Sequence, residues 1–351
     1  NLLPPSLVQG HPGYLRACRG IAPAGGAFLG LYAADLARGA DGVWRVIADR
    51  TETPAGLGYA LENRQIVARV MHDEFRAAQA EPLLPFLQAV RDLLGRRSPR
   101  RHGAPRVVLL TPGPRHGTYF EHAYLARHLG CTLVESEDLT MRDGGLFLKT
   151  LDGLKTVDVV LRHVPGAAAD PVELNADTLL GVPGLVQAAR AGSVTLVNAL
   201  GSGVVEAPAL SPFLPALCRR LLGEDLLLPS VDTLWCGDEG AAGRAMDEAR
   251  DLVFRSAYDP AAPAVECEGL DRAGLADLAA AIEARPHAFV ARRRLDASTA
   301  PVVGEDGRLD ARPMVVRAFV AAREGGHVVM PGGLARFSAD GVPPTGPLQG
   351  G

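Results

Sequence analysis

Short apolar runs separated by Gly-, Pro- and Asp-bearing turns mark the first sixty residues. Leu29 to Arg38 leads through Asp41-Gly42 into Val43 to Ala48, and a Thr-, Pro- and Gly-rich turn separates that run from Tyr59 to Leu61. This is the pattern of strand, loop and strand. Helical stripes follow at Arg64 to Met71 (Ile66, Val67, Val70) and at Leu83 to Leu94 (Leu84, Leu87, Val90, Leu94). The charged stretch Arg96 to Pro105 reads as a linker, and past it the grammar changes. Arg106 to Thr111, Thr132 to Glu135, Val157 to Leu161 and Val194 to Asn198 are buried-strand runs, with Glu121 to Leu129 as an intervening helix. Such alternation predicts a parallel β-α-β sheet. Asp143-Gly144-Gly145 marks a hairpin whose second arm is Leu146 to Thr150. Farther on, Ala207 to Leu222, Arg244 to Leu252 and Arg272 to Glu283 read as helical, the last capped by Asp271. Ala288 to Ala291, Pro313 to Val320 and Val328 to Met330 read as strands, and Pro- and Gly-rich residues 1 to 30 as irregular coil.

A chain of 351 residues predicts two or three lobes with real cores. The net charge of -4 gives no nucleic-acid footprint. No run has the length of a membrane span, so neither nucleic acid nor membrane is expected as a partner. Five cysteines without C-x-x-C spacing argue against a zinc site or a disulfide framework, and a cytoplasmic location is the expectation. Lysine occurs only at Lys149 and Lys155, so cationic chemistry elsewhere must be arginine chemistry. The start at Asn1 and the end in Pro347 to Gly351 suggest a fragment cut at both ends.

Chemistry concentrates in few places. Asp49 closes one apolar run, and Glu62 with Asn63 closes the next. If those runs pair as strands, two carboxylates and an amide oxygen face one point, a hard donor set suited to Mg2+ held with nucleotide phosphates. The alternative is that Asp49 caps a turn and Asn63 caps a helix from Arg64 to Val70. Gly201-Ser202-Gly203 follows a strand, as in a dinucleotide loop, but Glu206 puts an anion where a third glycine is needed. The glycines then serve either a phosphate or a plain turn capped by Ser202. His116, His122 and His163 lack metal spacing and read as structural or exposed.

Several phrases together carry a resemblance: Y-A-A-D-L-A-R-G-A-D-G (32 to 42), D-R-T-E-T-P-A-G-L-G-Y-A-L-E-N-R (49 to 64), Y-F-E-H-A-Y-L-A-R-H-L-G (119 to 130), L-G-V-P-G-L (180 to 185), V-N-A-L-G-S-G (197 to 203), L-L-G-E-D-L-L-L-P-S-V (221 to 231) and M-P-G-G-L-A-R (330 to 336). In this order they resemble the circularly permuted ATP-grasp proteins, relatives of glutathionylspermidine-synthetase-like and glutamate-cysteine-ligase-like carboxylate-amine ligases. The resemblance implies a mixed α/β, circularly permuted ATP-grasp fold. Residues 1–95 would form the permuted portion with the metal hairpin, 105–203 a pre-ATP-grasp-like parallel α/β domain, and 204–351 the rest of the nucleotide-binding portion. It implies ATP and Mg2+ as cofactors, with Asp49, Glu62 and Asn63 matching the D…E-N metal pattern. Small-molecule or peptide carboxylates and amines would be the substrates, joined through an acyl phosphate.

Departures from that pattern are as informative. Arg255 stands where a strand lysine is common, Arg162-His163-Val164-Pro165-Gly166 lacks an acidic pair, and Glu206-Ala207-Pro208 replaces an Asp-Asp-Lys segment. Arg162, Arg317 and Arg336 are the catalytic candidates, with Arg312 as a further source of charge; Gly201, Ser202, Gly203 and Arg255 are the nucleotide-binding candidates. A ligase is expected, with an impaired nucleotide-binding or interaction module as the alternative. The carboxylates of Asp49 and Glu62 should lie within roughly 4 to 6 Å of each other if they share a cation. Nothing in the sequence sets the oligomeric state.

Overall fold

The computed structural model describes residues 2–100, 103–304 and 306–337. The Pro- and Gly-rich start is largely irregular, with one short helix, α1 (Pro5–Gln9). Strands β1 (Leu31–Arg38) and β2 (Trp44–Arg50) pair antiparallel around a turn in which Gly42 takes φ 80°. The next element corrects an expectation. Tyr59 to Leu61 is not a strand but lies within helix α2 (Leu57–Val70). Beside Gly58, its buried residues are Leu57, Ala60 and Leu61, spaced i, i+3, i+4, so the helical period outweighs the short apolar run. Gly56, at φ 109°, turns the chain into it, and Asn63 sits mid-helix and exposed, so it caps nothing. Asp49 lies inside β2, not at a turn.

Helices α3 (His72–Ala77) and α4 (Leu84–Arg96) complete this part. The parallel sheet follows, from β3 (Val107–Leu110), α5 (Tyr119–Leu129), β4 (Thr132–Val134), the meander β5 (Leu139–Arg142), β6 (Gly145–Thr150) and β7 (Gly153–Thr156), then β8 (Val159–Arg162), α6 (Leu185–Arg190) and β9 (Thr195–Val197). Its order is β4-β3-β8-β9, all parallel, as the alternating grammar predicts. A third body contains α7 (Leu214–Leu222), β10 (Thr233–Trp235), α8 (Ala241–Asp247), β11 (Leu252–Ser256), β12 (Val265–Glu266), α9 (Arg272–Ala284) and β13 (Phe289–Arg293). Its antiparallel sheet runs β10-β13-β11-β12, and the Asp271 carboxylate caps α9 by accepting from Gly274 N at 2.8 Å. Last come β14 (Thr299–Val303), β15 (Leu309–Arg323) and β16 (Gly326–Phe337).

The chain then closes on itself. β15 pairs with β1, so strands from both ends of the described chain share one antiparallel sheet. Helix α4 lies between this sheet and the parallel one, burying Phe86, Leu87, Val90, Leu93 and Leu94 against both. The expected stripe member Leu84 is exposed instead, because it lies in the first turn and faces away from both sheets. A separate apolar cluster, Ala37, Ile47, Val231 and Val315, joins the third body to the β1–β2–β15 sheet.

Candidate functional site

Register decides which charges meet. On β1, Asp35 lies opposite Arg317 of β15, and Arg336 of β16 lies opposite Val315, two residues from Arg317. Arg50 lies opposite Ala33, so Asp35, Arg50, Arg317 and Arg336 share one sheet face. Arg317 grips the fully buried Asp35 in a fork, Nε at 2.6 Å and Nη2 at 2.8 Å, while its Nη1 donates to Ala55 O at 2.8 Å. Arg50 adds two further contacts, donating to Asp35 Oδ2 from Nε at 3.2 Å and from Nη2 at 3.0 Å. Burial alone would raise the Asp35 carboxyl, but the Arg317 hydrogen bonds and the Arg317 and Arg50 charges outweigh it and hold the group below its ordinary value.

Asp49 pairs with Ala34, which puts it on the other face. There the Tyr32 hydroxyl donates to Asp49 Oδ1 at 2.6 Å. Burial raises the Asp49 carboxyl, against the Tyr32 hydrogen bond and the charges of Arg292 and Arg50.

Opposite this sheet stand β11 and β13. Val253 pairs with Arg292 and Arg255 with Val290, so Arg255 and Arg292 are diagonal neighbours on one face. Both line a crevice with Asp49 and Glu206 along the edge strand β2, and both line the adjoining cleft of about 380 Å³ whose apolar walls include Ala37, Ile47, Val231 and Val253. Arg292 donates from Nη1 to Ile47 O at 2.7 Å, while its Nε is sealed from solvent without a partner among the described residues. Burial first and the Arg255 charge second lower Arg292 to about 10; burial and then Arg50 lower Arg255. Arg336 is lowered by burial and by the charges of Arg317 and Arg50, against Asp35.

The third wall comes from the parallel sheet. Gly201-Ser202-Gly203 follows β9 and closes on the segment after β2: Thr51 Oγ1 donates to Ser202 O at 2.7 Å. Glu206 Oε1 accepts from Thr51 N at 2.5 Å and Glu52 N at 2.6 Å. Burial raises its carboxyl against those amides. Arg162, at the end of β8, is buried; it donates to Val164 O and to Glu52 O and lies 3.8 Å from Glu52 Oε1. Ser202 Oγ and Arg162 Nε are buried without a hydrogen-bond partner among the described residues. Asn198 ties the sheets together, Oδ1 accepting from Gly30 N and Leu31 N and Nδ2 donating to Leu31 O and Thr51 O.

The expected Mg2+ set does not assemble. Glu62 lies on α2, beside Tyr124 of α5, while Asn63 is exposed. Asp49 meets Tyr32 and Arg292 instead, and no group of three or more His, Cys, Asp or Glu side chains able to hold a metal occurs among the described residues. The hairpin that would have brought the three donors together is a helix, so the donor set does not fit the ion. Arg255 does sit on a strand facing the cleft. Asp35, Arg50 and Arg292 were missed in the sequence. The signal for Asp35 was a single charge within the apolar run Tyr32 to Ala37; for Arg292, within Arg292-Arg293-Arg294, there was none.

A larger groove of about 540 Å³ lies on the other face of the β10–β13–β11 sheet, where Leu252, Ala291 and Arg293 point. Its charges neutralise one another, Arg219 with Asp225 and Arg293 with Glu248.

The chain matches the family described as circularly permuted ATP-grasp type 2 over residues 1–338. An uncharacterized protein of Mycobacterium tuberculosis is 41% identical over 341 residues, which is 97% of this chain and 38% of that protein. An uncharacterized protein of Synechocystis sp. is 33% identical over 342 residues, 96% of this chain and 70% of its own. One from Mycobacterium leprae is 34% identical over 343 residues, 96% and 60% respectively. The chain thus spans 38% of the length of the mycobacterial relative it matches at 41% identity. No helix among the described residues is long and apolar enough to cross a membrane.

Proposed function

Because the chain belongs to the circularly permuted ATP-grasp type 2 family, a membership that supports ATP-dependent ligase chemistry, we propose that it binds ATP between the β10–β13 sheet and the β1–β2–β15 sheet and joins a carboxylate to an amine. One observation carries this reading: a cleft of about 380 Å³ between the two sheets that sets the apolar side chains of Ile47, Val231 and Val253 beside the guanidiniums of Arg255 and Arg292. The base would pack on the apolar side chains and the phosphates would meet the arginines. Substrate would enter from the parallel-sheet side, where Arg162, Gly201, Ser202 and Gly203 border the segment after β2, and where Ser202 Oγ has a hydrogen bond to offer. In this arrangement the described parts of residues 1–95 and 204–351 would form the nucleotide-binding portion and 105–203 its supporting domain.

The chemistry would run in two steps. A substrate carboxylate oxygen attacks the γ-phosphorus, the bond to the β-γ bridging oxygen breaks, and ADP departs with its electron pair. The amine nitrogen then attacks the acyl carbon, inorganic phosphate leaves, and the nitrogen loses a proton. Guanidinium groups fixed around the phosphates stabilise the charge that shifts toward ADP, so positioning and electrostatics do the catalysis. Incubation of the protein with ATP, amines and heavy-oxygen-labelled amino acids or small peptides tests this. One labelled oxygen should appear in the released phosphate, in step with ADP.

A second reading, nucleotide binding without turnover, is favoured by the failure of Asp49, Glu62 and Asn63 to converge. ATP binding with no ADP formed across the amine and carboxylate panel would select it over the ligase.

A further inference from the structure

A surface helix is expected to turn polar residues away from the core. Helix α2 does not. It buries Leu57, Ala60 and Leu61 on one side, yet at about 3.6 residues per turn Tyr59, Asn63, Ile66 and Val70 form a second stripe on the side turned away from them. Val70 is 78% exposed, Ile66 45% and the flanking Val67 44%. Phe120, at the start of α5, extends the stripe: its ring stacks on Tyr59 with centroids 5.9 Å apart, and the residue is itself 53% exposed. From Asn63 to Pro82 no residue is buried, so this end of α2 and all of α3 lie at the surface. Single exposed apolar side chains need no cause, but a contiguous stripe of them does.

The charges beside the stripe say what covers it. Glu62 and Arg69 lie on one flank, next to Ile66 and Val70, seven residues and so about 10 Å apart along the helix, too far to pair with each other. When such a helix meets a second copy of itself antiparallel across a two-fold axis, the flank meets its own counterpart, and residue 62 of each copy faces residue 69 of the other. Two Glu–Arg pairs then form by symmetry. In a parallel pair the flank would meet Ala60 and Val67 instead, leaving both charges unmatched.

We propose that α2 is the contact helix of a homodimer, two copies packing their Tyr59, Asn63, Ile66 and Val70 stripes antiparallel, with Glu62 of one copy against Arg69 of the other. The Phe120 ring beside Tyr59 then covers Val70 of the second copy, the most exposed residue of the stripe. Glu62 and Asn63, expected from the sequence to hold Mg2+, acquire here a use that needs no metal. None of this depends on the nucleotide reading.

Sedimentation velocity on the whole chain from about 1 to 200 µM tests the proposal, because a contact of this size is expected to dissociate in the micromolar range. Val70→Glu and Ile66→Asp, each checked for an unchanged circular-dichroism spectrum, should weaken the dimer by about tenfold or more, since each places an unpaired charge in the apolar contact. Glu62→Arg and Arg69→Glu should each weaken it by about fivefold or more, because each sets like charges together twice, and combined they should return it to within about twofold of the wild type. A wild-type chain that stays monomeric across the range overturns the proposal. So does a dimer indifferent to Val70→Glu, or a double charge variant in which the single losses simply add. Should Val70→Glu or Ile66→Asp misfold, the charge exchange still decides.

Discussion

Glu121 is a buried carboxyl with one oxygen engaged and the other idle. Its Oε1 accepts from Gly56 N at 2.6 Å and Gly58 N at 3.0 Å, capping α2 from a position 65 residues from Gly56 in sequence, while Oε2 has no partner among the described residues. Burial pushes the group up to about 7, against those amides and the Arg317 charge. A carboxyl whose folded value lies above its unfolded one favours folding while protonated. The contribution is therefore complete below about 4.5 and is lost as pH rises through about 7. Its neighbour His122 works in the opposite sense: burial, with His116, lowers it to about 4, so its contribution is present above 6.5 and lost on acidification. The two slopes overlap, so the informative quantity is a difference between proteins. Glu121→Gln, measured by urea unfolding from pH 5 to 8, should gain on the wild type as pH rises, by on the order of 3 kcal/mol over the interval. A pH-independent difference would show that Glu121 is ionised throughout. None of this was legible beforehand: the sequence shows a glycine before α2 but gives no sign of which distant side chain caps it.

At the scale of elements, the clearest successes and errors both concern α2 and α4. The strands of the parallel sheet were legible because each is a continuous apolar run bounded by turn residues, as in Val107–Leu110 and Val159–Arg162. Tyr59 to Leu61 has the same appearance over three residues, too few to distinguish periods of 2 and 3.6; only Leu57, on the far side of the assumed loop, completes the helical stripe. For α4 the helix was legible and its face nearly so. The sequence favoured Leu84, Leu87, Val90 and Leu94, but burial on two sides recruits Phe86 and Leu93 and releases Leu84. A helix between two sheets carries a wider apolar arc than a single stripe allows. That difference is measurable. Phe86→Ala should cost about 3 to 5 kcal/mol, the range for emptying a buried aromatic site, whereas Leu84→Ala, at 67% exposure, should change stability by less than about 0.5 kcal/mol. Equal losses would place Leu84 back in the core.

For the molecule as a whole, the site is built from β1, β2, β11, β13, β15 and β16, so its charged groups run from Asp35 to Arg336 in sequence. Local spacing could suggest Asp49 with Glu62 and Asn63, because they are near one another in the chain. It could not show that a strand register sends Asp49 to one face and Arg50 to the other, or that Arg292 arrives from a separate sheet. What composition did reveal was that lysine is almost absent, which leaves the field of the cleft to arginine. That field has the opposite sign to the whole. With a net charge of -4, the protein's surface repels a polyanion, while the arginine cluster between its low-dielectric walls attracts one. Screening should weaken the local attraction strongly, since the Debye length shrinks from about 10 Å near 0.1 M salt to about 3 Å near 1 M. ATP affinity should accordingly fall by about tenfold or more as NaCl is raised from about 0.05 to 0.5 M, with much of the change in the association rate. ADP, carrying one charge fewer, should show a shallower slope. Stopped-flow fluorescence with a labelled nucleotide reads both rates. Affinity that is flat across the salt range, or equal slopes for ATP and ADP, would mean that the guanidiniums of Arg255 and Arg292 are not what the phosphates meet.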